Sequence, residues 1–325
     1  MQRDMIPIFD EAAIRRVMSP AVAVRAVREA FRADGEGRTT VPPVINLTVP
    51  GGDGEFHVKT ACIEGTPWIA IKIASGFPGN VTRGLPTGSG LMALFDVATG
   101  LPAALLLDNG YLTDIRTGAA GAVAAECLAR TTIETVGVLG SGVQARHQVV
   151  CLCEITRPRR LLAWSPEPDR LAEYCAEMRE RQGLDARAMP DAESACREAD
   201  VLITATPARA PLVRAEWLCQ GAHVTALGSD SPGKQELDAA CLARADLVVV
   251  DRMSQCAAFG ELASAIAAGV VTADRVHAEL GAIVAGRKPG RTSDRQITIV
   301  DLTGVGFQDT AIAAAAFEAL RAGKP

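Results

Sequence analysis

Hydrophobic positions along the chain follow two periods. Over residues 19–35, Val22, Val24, Val27, Ala30 and Phe31 recur near helical spacing behind Ser19-Pro20, which predicts an amphipathic helix. Beyond it the period shortens. Residues 44–49, 55–63, 68–75, 90–97 and 102–107 are short β-type runs separated by Pro-Gly-Gly, Glu-Gly-Thr-Pro and Ala-Thr-Gly turns. Strands linked this tightly predict a largely antiparallel sheet, with a face or edge suited to dimer formation.

From Thr113 the pattern changes again. A helix crowded with Ala and Gly (113–130) is followed by strand 135–139, helix 144–155, strand 160–164 and helix 168–182, then by apolar strands at 200–205, 223–227, 245–250 and 296–301. This alternation predicts an α/β fold: a Rossmann-type doubly wound parallel sheet plus a smaller α+β N-terminal domain for substrate binding and dimerisation. The expected division is residues 1–115, joined by a C-terminal helix 309–325, against residues 116–308. The small residues of helix 113–130 suit close packing where the two domains meet.

Composition narrows the partners. A hydrophobic fraction of 48% supplies two sizeable cores. The net charge of -5 comes without a long block of like charge, so neither nucleic acid nor an anionic membrane is expected, and small molecules are. The longest apolar stretch, residues 118–129, is interrupted by Glu126 and is too short for a bilayer, and the first ten residues lack an apolar signal core. A cytoplasmic location is the expectation. The nine cysteines show no CxxC spacing, and His57, His147, His223 and His277 form no HExxH, so no metal site is expected.

The chemistry begins at Gly140-Ser141-Gly142-Val143-Gln144-Ala145, which follows a buried-strand pattern and opens a helix. In that context the glycines read as a dinucleotide turn. Gly140 makes the bend, Gly142 lets the backbone approach a pyrophosphate, and Ala145 permits close helix–strand packing. At the end of the second strand, Glu167 favours NAD(H), whereas Ser165 and Arg170 suit the extra phosphate of NADP(H); NAD(H) is preferred and NADP(H) stays open.

Three further residues stand out. Lys72 interrupts the apolar strand Ile69-Ala70-Ile71-Lys72-Ile73-Ala74, and alternation sets it on the face of Ala70 and Ala74, where small neighbours leave room for a ligand. A solvent-facing lysine on a one-sided sheet is the plainer alternative. Arg116, in the first turn of the predicted helix, has the fork to hold a carboxylate, or else pairs with Asp114 or another acid. Asp230 lies beyond the carboxyl end of a predicted parallel strand, where open α/β sheets bind ligands, though Asp also serves plain turns.

Over nearly its whole length the chain resembles the ornithine cyclodeaminase/μ-crystallin family. The matching strings are Lys72-Ile-Ala-Ser-Gly-Phe-Pro-Gly-Asn80, Gly84-Leu-Pro86, Phe95-Asp-Val-Ala-Thr-Gly100, Leu112-Thr-Asp-Ile-Arg-Thr-Gly-Ala-Ala120, the 140–145 turn, Ala226-Leu-Gly-Ser-Asp230-Ser-Pro-Gly-Lys-Gln-Glu-Leu237 and Gly306-Phe-Gln-Asp309. The resemblance implies that Arg116 binds the substrate α-carboxylate, that Lys72 polarises or protonates the reacting centre and that Asp230 is an acid/base residue. It implies cofactor contacts at Thr113, Thr206 and Gly306, homodimers built through the N-terminal domain, and a nicotinamide lying against the substrate between the domains. The family pattern has an arginine where this chain reads Val44, while His57 and Lys59 share a face of the neighbouring strand, and Lys59 offers a replacement charge.

The strings Lys59-Thr-Ala-Cys-Ile-Glu-Gly65 and Leu107-Asp-Asn-Gly-Tyr-Leu-Thr-Asp114 are most similar to the branch associated with ectoine utilisation and iminosuccinate reduction. The expectation is therefore NAD(P)H-dependent reduction of a small 2-imino acid, iminosuccinate to aspartate. Ornithine cyclodeamination, another ketimine reductase or amino-acid dehydrogenase activity, and a noncatalytic NADPH-binding crystallin-like protein are the alternatives.

Overall fold

The structure, a computed structural model, describes residues 5–323. Residues 1–4, 324 and 325, which the expected first domain included, lie outside the described residues. The chain divides into two compact units: residues through Arg116 together with those from Val305 onward, and Thr117–Gly304.

Among the described residues of the first unit, the sheet runs in the order Ile8–Asp10, Pro102–Leu107, Gly88–Asp96, Trp68–Gly76, Glu55–Ile63 and Thr39–Thr40, with Ile45–Thr48 also paired to Glu55–Ile63. Only Ile8–Asp10 pairs in parallel; the other neighbours are antiparallel, as expected of closely linked strands. Helix Pro20–Gly35 is capped by Ser19, whose hydroxyl accepts from the Val22 amide. The terminal helix starts at Gly306 rather than Asp309 and runs to Arg321. It packs against Pro20–Gly35 through an edge-to-face Phe31–Phe307 pair, and against the sheet at Trp68, whose indole donates to Glu318 at 2.6 Å. Its first turn touches strand Glu55–Ile63 closely: a Cβ on Gly306 would lie 2.2 Å from the Thr60 carbonyl oxygen. Thr310 then threads the ladder, accepting from the Ala70 amide and donating to the Ala61 carbonyl.

The second unit is the doubly wound layer. Among its described residues eight parallel strands lie in the order Asp185–Ala188, Arg160–Trp164, Thr135–Leu139, Val201–Thr204, His223–Ala226, Thr298–Asp301, Leu247–Val250 and Val276–Glu279. The central strands are buried throughout, which is why they read as unbroken apolar runs. The alanine-rich helix Tyr111–Leu128 carries the first division point, and its small residues serve a contact inside this unit. A Cβ on Gly118 would meet the His147 carbonyl at 2.4 Å, so the helix seats directly on Val143–Leu152. No described helix is long and apolar enough to cross a membrane.

Candidate active site

The first unit concentrates buried charge at one point. Alternation along Trp68–Gly76 leaves Ile73 on the exposed face and turns Lys72 inward, only 2% exposed. The antiparallel register sets Lys59 directly opposite Lys72 on one side and Met92 on the other. Burying an ammonium without a counter-ion costs several kcal/mol, so a carboxylate is required. The terminal helix supplies it: Asp309, fully buried, brings Oδ2 to 3.1 Å from the Lys72 Nζ.

The same carboxylate serves a second cation. Arg116 brings Nε to 3.0 Å from Asp309 Oδ1, while its Nη1 donates to Gln308 Oε1 at 3.0 Å. Because the helix begins at Tyr111, Arg116 lies in its second turn, not its first, and its partners are Asp309 and Gln308. Both approaches to Asp309 are charge contacts rather than well-aligned hydrogen bonds. Burial pulls the Lys72 ammonium down to about 7, with Asp309 opposing and Arg116 and Lys59 adding to the fall. Burial also disfavours ionised Asp309, but Lys72 and Arg116 outweigh it and hold that carboxyl below its ordinary range.

Asp108 completes the cluster. Its Oδ2 accepts from the Leu112 amide and so caps the helix that carries Arg116. Burial pushes its carboxyl up to about 6, a rise that the capping amide and Lys72 restrain. Asp108 Oδ1 and Gln308 Nε2 are buried without a hydrogen-bond partner. Native interiors rarely tolerate that, and an unused acceptor and donor beside two cations suit a small ligand that carries a carboxylate and a nitrogen. Of the other residues expected here, His57 is held by neighbours, with Nδ1 2.6 Å from Asn46 Oδ1 and Nε2 3.3 Å from Glu55 Oε1. Thr113 is half-buried in the first turn of its helix. Gly306, expected as a cofactor contact, is buried against Thr60, and the close approach described above gives its missing side chain a packing reason.

The second unit assembles the dinucleotide turn. Gly140 takes φ +116, and a Cβ there would lie 2.6 Å from the Ala205 carbonyl. Gly142 faces open space and caps helix Val143–Leu152 without a side-chain bond, so the turn presents a helix N-terminus of the kind that attracts an anion. Arg146 ties down the carbonyls of Ser141 and Gly142, and Ala145 is fully buried under the turn. A cleft of about 340 Å³ opens here, lined by residues that include Gly140, Ser141, Gly142, Ser165, Glu167, Arg170 and Thr206. These residues fit a dinucleotide. Glu167 and Arg170 pair with each other at 3.0 Å, so the acid that favours NAD and the base that favours NADP sit together.

Asp230 lies in the loop after His223–Ala226, half exposed, its Oδ1 2.6 Å from Lys234 Nζ. Sequence reasoning gave no role to Glu236, six residues further on. That buried carboxylate accepts from the Thr204 hydroxyl, the Thr206 amide and hydroxyl, and the Gly228 amide, all at 2.7–2.8 Å. It fastens the loops at the carboxyl ends of two central strands, including a wall of the cleft. No group of three or more His, Cys, Asp or Glu side chains able to hold a metal occurs among the described residues.

The ornithine cyclodeaminase/mu-crystallin family model matches residues 5–324. An archaeal alanine dehydrogenase, solved as a dimer with bound NAD, superposes with a TM-score of 0.92 at 37% identity, covering 98% of this chain and 97% of that one. The Thermococcus litoralis Δ1-pyrroline-2-carboxylate reductase, in complex with NADH and L-proline, gives 0.94 at 30% identity over 98% and 99%. The iminosuccinate reductase of Paracoccus denitrificans is 34% identical over 96% of this chain and 95% of its own, and its structure with NAD+ superposes with a TM-score of 0.88.

Proposed function

The chain belongs to the ornithine cyclodeaminase/mu-crystallin family, and from that premise we propose that it is an NAD(H)-dependent reductase of a small 2-imino acid, converting iminosuccinate to aspartate. The observation that carries this reading is the buried Lys72–Asp309–Arg116 cluster: one permanent cation beside one whose proton affinity lies near neutrality. The three relatives described above are named for alanine, pyrroline-2-carboxylate and iminosuccinate, which share an oxidisable or reducible carbon–nitrogen bond next to a carboxylate.

In this reading Arg116 holds the α-carboxylate and Gln308 Nε2, otherwise unpartnered, donates beside it. Bound NADH supplies hydride to the imine carbon. As that bond forms, the C=N π pair moves to nitrogen, which takes a proton from the Lys72 ammonium, and Lys72 regains a proton from solvent afterwards. Asp230 is proposed as a second acid/base residue. The preference for a diacid rests on Lys59, opposite Lys72. The Ile45–Val58 pairing, continued by one residue, sets Val44 beside Lys59, so the charge absent at 44 is offered from the next strand.

We also take the protein to be a homodimer. Ile45, Val58 and Ile73 form a cross-strand apolar row on the face opposite Lys72, with Ile45 63% and Ile73 39% exposed. Sedimentation at micromolar concentration tests this, and a monomer refutes it.

The functional test offers NADH with oxaloacetate and ammonium, and separately NAD with ornithine, following nicotinamide absorbance and ammonia. Steady NADH loss in the first mixture is expected. Ammonia release without net NADH formation in the second, with silence in the first, would replace this reading by cyclodeamination.

A further inference from the structure

Asp309 stands between two cations that a substrate would use, and this makes it more than a passive counter-ion. Its two oxygens are divided, Oδ2 toward Lys72 at 3.1 Å and Oδ1 toward Arg116 at 3.0 Å, and none of the three side chains is more than 6% exposed. The charged groups facing Lys72 are Lys59 from the adjacent strand, Arg116 from the helix Tyr111–Leu128, Asp309 from the terminal helix, and Asp108 at the end of strand Pro102–Leu107. Two positive and two negative neighbours surround a lysine that water barely reaches. In so dry a setting the arrival of one more charge is felt strongly.

We propose that Asp309 is a positioning residue that couples carboxylate binding at Arg116 to proton uptake by Lys72. The inference rests on the reading of Arg116 as the carboxylate ligand. Without substrate, Asp309 divides its charge between both cations. A substrate carboxylate on Arg116 offsets the guanidinium and adds negative charge near Lys72, so the lysine gains a proton as the carboxylate arrives. The acid needed for imine reduction is thus charged by the binding of the molecule that consumes it. The terminal helix does this because Gly306 lets its first turn lie against Thr60 and Thr310 pins it into the ladder between Ala61 and Ala70, which fixes the height of Asp309 above Lys72.

Only five lysines occur in the chain, at 59, 72, 234, 288 and 324, so protein labelled with 13C at the lysine ε carbon yields a spectrum in which Lys72 is assigned by its loss in K72M. Titration of the free protein is expected to place the Lys72 midpoint near 7. Saturating succinate, an unreactive diacid, is expected to raise it by about 1–3 pH units, and D309N to lower the midpoint of the free protein by a similar amount. If D309N does not fold, R116Q serves: it removes the competing cation, so the midpoint should rise and succinate should no longer move it.

Succinate that binds in an Arg116-dependent way without moving the Lys72 midpoint overturns the coupling while leaving Arg116 as the carboxylate ligand. Succinate that fails to bind, or that binds R116Q as tightly as the natural protein, overturns both. An unchanged Lys72 midpoint in folded D309N also sinks the proposal, because a merely structural aspartate would alter stability and leave that titration where it was.

Discussion

Replacing Glu236 by Ala tests whether a buried carboxylate, and not the glycine turn alone, shapes the cofactor cleft. Four donors converge on it, two of them backbone amides, at Thr206 and Gly228. Burial disfavours its charge, while the hydrogen bonds from Thr204, Thr206 and Gly228 favour it; since every contact is a donor, the geometry uses the carboxylate. In E236A both amides lose their acceptor. Each such loss costs about 1–3 kcal/mol, and because Thr206 and Gly228 are only half-buried the low end applies, giving about 2–3 kcal/mol in all. No nearby residue replaces the lost carboxylate easily: a Cβ on Gly228 would already lie 2.2 Å from the Thr206 carbonyl, so the two loops have little freedom to approach. Thr206 lines the cleft, so its displacement should weaken NADH binding about tenfold, which corresponds to 1.4 kcal/mol. Trp164 also lines the cleft, which makes quenching of tryptophan fluorescence by NADH the natural assay, with urea unfolding run beside it. E236Q keeps one oxygen and should fall between. NADH affinity within twofold of normal and an unshifted urea midpoint in E236A would refute the reasoning.

Three other outcomes are expected. In the proposed reaction imine reduction uses the ammonium form of Lys72, which in the free protein is depleted above about 7, so kcat/KM for reduction should fall roughly tenfold per pH unit on the alkaline side; kcat/KM for oxidation of the amine, which uses the free amine of Lys72, should rise through the same window. Single-turnover oxidation of enzyme-bound NADH at subsaturating imine reads this directly, and a flat profile removes Lys72 as donor. K59M should raise KM for iminosuccinate by about 10–100-fold, the loss of one charged contact of about 1.5–3 kcal/mol, with little change for the imine of pyruvate; equal losses for both would assign Lys59 a structural part. E167Q frees Arg170 from its 3.0 Å partner, so the ratio of kcat/KM for NADPH over NADH should increase about tenfold, and an unchanged ratio places cofactor choice elsewhere.

Local patterns carried the scaffold because they are local causes. The shift from period-2 runs to strand–helix alternation, the turn at Gly140 and the inward face of Lys72 all depend on residues within one element, and each lies where alternation or motif spacing put it. What escaped has two physical origins. Short strands such as Asp185–Ala188 and Val276–Glu279 lie at the two edges of the parallel sheet, where one side is unpaired and charged residues are tolerated, so they carry little hydrophobic signal. The buried acids Asp309 and Glu236 escaped for another reason. A carboxylate is ordinarily read as solvated, and its burial becomes meaningful only when its partners are known. Both stood inside strings that matched the family pattern, Gly306-Phe-Gln-Asp309 and Lys234-Gln-Glu-Leu237, yet nothing in either string names the distant donors.

The lysine shows what this costs a reading from sequence. Alternation was enough to bury Lys72 beside Ala70 and Ala74, and the small neighbours suggested free space for a ligand. The terminal helix enters that region, with Thr310 bonded to the Ala70 amide and Asp309 set at the ammonium. Space inferred from small residues on one strand is therefore space for whatever packs there, and here the occupant is part of the chain. Burial alone would have made Lys72 a neutral amine, a base without a proton to give. Asp309 returns the proton affinity to the neighbourhood of 7 and Arg116 takes part of that help away; in the coupling proposed above, a bound carboxylate restores it. The acid of the proposed reaction is thus a property of three residues from three elements, and only the order in which the sheet and terminal helix meet brings them into one site.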